Sequence, residues 1–81
     1  MLRKVPLVFS PQPEGGFTVT SPVIPELVTE GDTLAEARAN VADALAAVIE
    51  LYLEQGRALP ESTRVPETGE VIWSEWLVEV A

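Results

Sequence analysis

Three carboxylates lie close together in the sequence just before a long helical segment: Glu26, Glu30 and Asp32. Carboxylate oxygens are ligands that Mg²⁺ prefers, and a bound metal could activate water for phosphodiester hydrolysis. Alternatively, they are solvated loop and strand residues, with Asp32 stabilising the positive end of the helix dipole. Neither a phosphate-binding lysine nor a Gly-rich phosphate loop accompanies them. We therefore favour the second interpretation and predict no metal ion and no cofactor.

The composition excludes several classes of enzyme. The 81 residues include no histidine and no cysteine. This excludes histidine-based general acid–base catalysis, Ser-His-Asp triads, ordinary zinc sites and disulfides. We predict that the protein is not an enzyme and has no catalytic residues.

The charge balance favours a basic partner. Thirteen acidic and five basic residues give a formal net charge of −8. Such a surface repels nucleic-acid backbones and anionic membranes and attracts basic proteins, although acidic residues also serve solubility alone. The N-terminal segment has no long apolar run, so we predict neither a signal peptide nor a membrane span, and a cytoplasmic location.

The two tryptophans, Trp73 and Trp76, could stack on nucleic-acid bases. A stacking platform is normally surrounded by positive charge, whereas here Glu70, Glu75 and Glu79 surround them. We therefore predict that they anchor the core or a protein interface. The predicted partner-binding residues are Glu26, Glu30, Asp32, Trp73 and Trp76.

The longest periodic segment predicts a helix over Leu34–Gln55. Thr33 and Glu36 form a capping box before it, and Gly56 is a typical helix stop. The face predicted to pack on a sheet comprises Leu34, Ala37, Val41, Leu45, Val48 and Tyr52. A second flank of mostly small residues indicates either self-association or ordinary half-exposed helix: Ala35, Ala39, Ala42, Ala46, Ile49 and Leu53.

Four strands are predicted around this helix, over residues 5–9, 17–21, 27–30 and 70–80. The first two form a hairpin around Pro11–Gly16, and Pro6 places the first strand at an edge or bulge. The last strand is apolar on both faces, so it is either sandwiched between the helix and a partner or an exposed edge that pairs with another chain. We favour the pairing. The prediction is one α+β domain over residues 1–81, with the order β-β-β-α-β and one antiparallel sheet packed on one helix.

Short motifs over residues 5–61, in order and at the usual spacings, resemble the HicB-like antitoxin family. They are Glu14-Gly15-Gly16-Phe17, Ser21-Pro22, Pro25, Thr29-Glu30-Gly31-Asp32-Thr33, Glu36-Ala37, Leu51-Tyr52-Leu53 and Leu59-Pro60. The resemblance implies a partial RNase H-like fold without catalytic function. It also implies a role in blocking a small, basic, histidine-dependent toxin that cleaves mRNA, and oligomerisation through the last strand.

The chain departs from the family pattern in two places. Glu26 and Leu27 follow Pro25 where the family usually has a glycine. Many members also carry a DNA-binding segment after this domain, whereas the sequence ends at Ala81 with a strand, so we expect no repressor activity and no direct nucleic-acid binding. The predicted function is an antitoxin of a type II toxin–antitoxin pair. The alternatives are an orphan HicB-like oligomeric domain with a regulatory or ligand-sensing role and, more remotely, a metal-dependent nuclease.

Overall fold

The computed structural model describes residues 2–65 and 76–80. Its elements are β1 (Leu2–Val5), β2 (Val8–Pro11), β3 (Phe17–Thr20), β4 (Val28–Gly31), α1 (Leu34–Glu54), a short 3₁₀ helix (Glu61–Thr63) and β5 (Trp76–Glu79). The α+β class and the predicted order of strands around one long helix are confirmed. Of the strand predicted over residues 70–80, residues 70–75 lie outside the described residues, and Trp73 is among them.

The first predicted strand differs from the prediction because it divides in two. Pro6 and Leu7 separate β1 from β2, and the two halves have different partners. β2 pairs antiparallel with β3, which pairs antiparallel with β4. β1 instead pairs antiparallel with β5 near the other end of the chain. The single predicted sheet therefore consists, in the described residues, of a three-stranded and a two-stranded ladder.

Helix α1 begins and ends where local chemistry predicts. The Glu36 amide donates to Thr33 Oγ1 at 3.1 Å, which satisfies one of the free amides of the first turn. At the other end Gly56 adopts a φ of 64°. The amides of Gly56 and Arg57 donate to the carbonyls of Leu53 and Tyr52 at 3.1 and 2.9 Å, the two bonds of a Schellman motif. Gln55 is the C-cap, so the predicted end was one residue too long.

The predicted face of α1 packs on the sheet, with one exception. The buried helix residues are Ala37, Val41, Leu45, Val48 and Tyr52. Leu34 is 48% exposed, contrary to the prediction. The reason is that the helix backbone meets β4 one turn later, where a Cβ on Gly31 would lie 2.3 Å from the Ala37 nitrogen. On the second flank only Ile49 is half-buried, and its other five residues are exposed.

Trp76 joins the two parts of the core. One cluster is centred on Val5, Ile24, Leu27, Leu45, Val48 and Tyr52, and the other on Val19, Ala37 and Val41. The half-buried Trp76 packs against both clusters, and the Arg38 guanidinium lies 5.7 Å from its ring centre. This contact is within the range of a cation–π interaction. Trp76 therefore holds β5 to the helix and the sheet.

None of the helices within the described ranges is both long and apolar enough to cross a bilayer.

Candidate protein-binding site

An acidic groove of about 360 Å³ opens where the β2–β3 hairpin loop, the end of β4 and the first turns of α1 meet. Four carboxylates line it: Glu14, Glu30, Asp32 and Glu36. We call this feature the acidic groove. All four residues are exposed, and none of them forms an ion pair with another described residue. The acidic groove is therefore a concave surface whose negative charge is not neutralised by the described part of the chain.

Two glycines allow the walls of the acidic groove to approach. Gly16, in the hairpin loop, has a φ of 81°, and a Cβ there would lie 2.8 Å from the Gly31 carbonyl oxygen. A Cβ on Gly31 would in turn lie within 2.6 Å of two backbone atoms of Ala37. Side chains cannot be accommodated at these separations. The hairpin loop, β4 and α1 can therefore lie close together because a glycine occupies each of the two contacts.

Asn40 forms a hydrogen bond between the helix and the rim of the acidic groove. Its Nδ2 donates to the Glu30 carbonyl oxygen at 2.7 Å. Glu30 lies opposite Thr18 on β3, and Gly31 lies opposite Phe17. The bond to Asn40 therefore links α1 to the outer strand of the three-stranded ladder, and it fixes the backbone that carries Glu30.

Glu26 lies in a separate contact. Its Oε1 accepts a hydrogen bond from the Tyr52 hydroxyl at 2.7 Å, and its Oε2 lies 3.0 Å from Arg57 Nη2. The Arg57 guanidinium also lies 4.1 Å from the centre of the Tyr52 ring. The structure thus brings Glu30 and Asp32 to the acidic groove, whereas Glu26 ties the loop before β4 to the end of α1.

The contact shifts two pKa values in opposite directions. The hydrogen bond from Tyr52, with a smaller effect of Arg57, lowers the pKa of Glu26 because both favour the carboxylate. The same hydrogen bond, together with burial, raises the pKa of Tyr52 because the phenolate would face a carboxylate. Both groups therefore stay in their interacting forms at neutral pH.

Sequence reasoning missed part of the acidic groove. The sequence places Glu14 in the hairpin loop and Glu36 in the capping box, and it does not single out Asn40 as a site residue. The adjacency of two turn motifs that both carry acidic residues, Glu14-Gly15-Gly16 and Gly31-Asp32-Thr33, is the signal that could have indicated them. No group of three or more acidic side chains in residues 2–65 and 76–80 is placed to hold a metal ion.

These features define a small acidic α+β domain with one helix packed on an antiparallel sheet. A family model described as the HicB-like antitoxin of bacterial toxin–antitoxin systems matches residues 5–81. The chain belongs to this family, and the predicted resemblance is confirmed.

Named relatives agree with this assignment. The chain is 39% identical over 57 residues to "Antitoxin HicB" of Escherichia coli strain K12, a match that covers 70% of this chain and 41% of that protein. It is 40% identical over 57 residues to "Antitoxin HicB 1" of Photorhabdus laumondii, with 70% and 37% covered. "Antitoxin HicB 2" of the same organism is 45% identical over 47 residues, with 58% and 34% covered. The matched part of the chain thus spans about two fifths or less of these curated relatives.

Proposed function

We propose that this chain acts as the antitoxin of a type II toxin–antitoxin pair in the cytoplasm and blocks a small basic toxin that cleaves mRNA. Membership of the HicB-like family supports the class of activity. The observation that carries the choice of partner is the acidic groove, whose four carboxylates have no neutralising cation among the described residues. A toxin that binds RNA must present lysines or arginines to the negatively charged phosphates. The acidic groove attracts these same basic side chains.

The acidic groove is the contact surface that we assign to the toxin. Glu30 and Asp32 keep the partner-binding role predicted for them, and Glu14 and Glu36 join them. Carboxylates here compete with RNA phosphates for the same basic side chains. Complementary charge of this kind raises association rates by about 10–10³-fold and loses its effect as salt rises. Glu26 has a structural role in this scheme because its carboxylate is bound to Tyr52 and Arg57.

We also propose that the chain forms a homo-oligomer through its last strand. In the described residues β5 is paired with β1, which occupies one of its two edges. Trp76 is only half-buried although it packs on both core clusters. Half-buried aromatic side chains are frequent anchors of protein interfaces. In this proposal Trp73 and Trp76 contribute to the contact between copies.

Association kinetics with matched charge variants test the assignment of the acidic groove. One variant neutralises three groove residues, Glu14→Gln, Glu30→Gln and Asp32→Asn. The control neutralises three exposed residues on the outer face of α1, Asp43→Asn, Glu50→Gln and Glu54→Gln. Both variants change the net charge by the same amount. If only net charge mattered, association with the toxin would therefore slow equally in both.

We expect the groove variant to associate at least about tenfold more slowly than the control at low salt, and the difference to shrink as salt increases. Stopped-flow mixing across a salt series measures both rates. Equal slowing in the two variants would show that only net charge matters, and it would remove the acidic groove from the proposal.

A further inference from the structure

Arg3 is a buried cation in the middle of β1, away from the acidic groove. The residue is 9% exposed, and it shares a strand face with Val5, which is fully buried. Its backbone lies opposite Val78 of β5 on one side and opposite Arg64 on the other. Two positive residues directly opposite each other in a ladder are destabilising unless an anion lies between them.

The described residues leave Nε of the Arg3 guanidinium, a group with five N–H donors, without an acceptor. Nη1 reaches Thr63 Oγ1 only at 3.5 Å, the outer limit of a hydrogen bond. Thr63 Oγ1 donates its own hydrogen to the Pro60 carbonyl oxygen at 2.6 Å, so its lone pairs supply only this one long contact to Arg3. Nε is buried and has no hydrogen-bond partner in the described part of the chain. A buried charged group with an unpaired N–H is strongly unfavourable, so an acceptor beyond the described residues would stabilise this arrangement.

The acidic residue of the described chain that lies closest to Arg64 in sequence has another partner. Glu61, the acidic residue of the short 3₁₀ helix, is ion-paired at 3.2 Å with Arg64 Nε rather than with Arg3. Within the described ranges no carboxylate forms an ion pair with Arg3. Basic residues are nevertheless concentrated here. Two of the chain's five, Arg3 and Lys4, lie in β1, and a third, Arg64, forms an isolated β-bridge with Arg3. In a protein of net charge −8 this is a local concentration of positive charge.

We propose that Arg3 is the centre of a binding site for a small oxyanion, such as inorganic phosphate, between β1 and Arg64. The guanidinium fork matches the spacing of two oxygens on a phosphate or carboxylate group. An oxyanion there accepts from the unpaired Nε of Arg3, and it also attracts Arg64, whose Nε is paired with Glu61. The site is independent of the acidic groove, which attracts cations.

Thermal unfolding in phosphate and in chloride, at equal ionic strength and equal protein concentration, tests the site. We expect phosphate to raise the Tm of the wild-type chain in a saturable way, by roughly 4–8 °C once its concentration exceeds the Kd about fivefold. Arg3→Met should lose this response. It should also be no less stable than the wild type in chloride, because replacing an uncompensated buried charge with an apolar group is neutral or stabilising. The control is Lys4→Met, which removes a charge from the same strand on its opposite face and should keep the response.

A titration of the wild-type chain needs no variant and covers the case in which Arg3→Met fails to fold. The Nε–Hε resonance of Arg3 in ¹⁵N NMR spectra should shift with phosphate and saturate, while that of Arg38 should not. A saturable Arg3 shift supports the site. The proposal is overturned if the Arg3 resonance and the Tm do not respond to phosphate. It is also overturned if Arg3→Met is strongly destabilised in both salts, since Arg3 would then have a permanent partner within the chain.

Discussion

Gly31→Ala tests the close contact between β4 and α1 that underlies both the core and the acidic groove. The added Cβ would lie 2.3 Å from the nitrogen of Ala37 and 2.6 Å from its Cα. Ordinary contacts begin near 3.4 Å, so the backbones must separate by about 1 Å. Both atoms belong to the main chain of α1, so a change of side-chain rotamer cannot relieve the clash.

The expected cost follows from that geometry. Overpacking of a tight interior typically costs about 1–3 kcal/mol, and a clash with backbone falls at the upper end of this range. The lower chain entropy of unfolded alanine returns up to about 1 kcal/mol. We therefore expect a net loss of about 2 kcal/mol, which lowers the Tm by roughly 8–16 °C in a domain of this size. This is a large share of a total stability of about 5–15 kcal/mol.

Gly56→Ala is the matched control. Gly56 has a φ of 64° and open space around its Cβ position, so its cost is conformational only, about 1 kcal/mol. Urea titrations followed by circular dichroism, at one protein concentration, give both free energies of unfolding. A Gly31→Ala variant as stable as Gly56→Ala would refute the close packing of the strand end against the helix.

Three further outcomes are expected. Leu45→Glu places an unpaired charge in the buried face of α1 and should yield unfolded or aggregated protein. Asp43→Lys, on the exposed face, should change stability by less than about 0.5 kcal/mol. Identical circular dichroism melts of the two variants would contradict the orientation of the helix. Because the folded-state pKa of Glu26 is lowered, its contribution is present above the unfolded value of about 4.3 and is lost as pH falls through the folded value. Glu26→Gln and Tyr52→Phe should therefore weaken the loss of stability at pH values below about 4.3, and an unchanged acid limb in urea titrations contradicts the contact. Light scattering at tens of micromolar should give the mass of a dimer or larger species, and a monomer mass counts against assembly through the last strand.

The helix could be predicted almost completely because its determinants are local. The Thr33 cap, the apolar period and the Gly56 stop all lie within one segment, and each behaves as its residue type requires. The hairpin was predictable for the same reason, since the glycines of its loop adopt positive φ angles. Only Leu34 was misplaced on the helix, because the point at which the helix meets β4 depends on a tertiary contact rather than on periodicity.

Long-range pairing accounts for what the sequence could not predict. Nothing near Pro6 indicates that the residues before it pair with β5 while those after it pair with β3. Likewise, Glu26 is only four residues from Glu30, but its carboxylate is bound by Tyr52, in the last turn of α1, and by Arg57, just after the helix. Spacing in sequence therefore predicted a group of three carboxylates, whereas the structure assembles a different set at the acidic groove.

Inhibition of RNA cleavage tests the proposed antitoxin activity most directly. The purified chain would be titrated into a fixed amount of its basic toxin, and cleavage of a labelled mRNA would be followed over time. Cleavage should fall to background near one binding equivalent of the wild-type chain. The variant with Glu14→Gln, Glu30→Gln and Asp32→Asn should require a much higher concentration. Undiminished cleavage in the presence of a molar excess of folded wild-type chain would contradict the proposal that this chain blocks such a toxin.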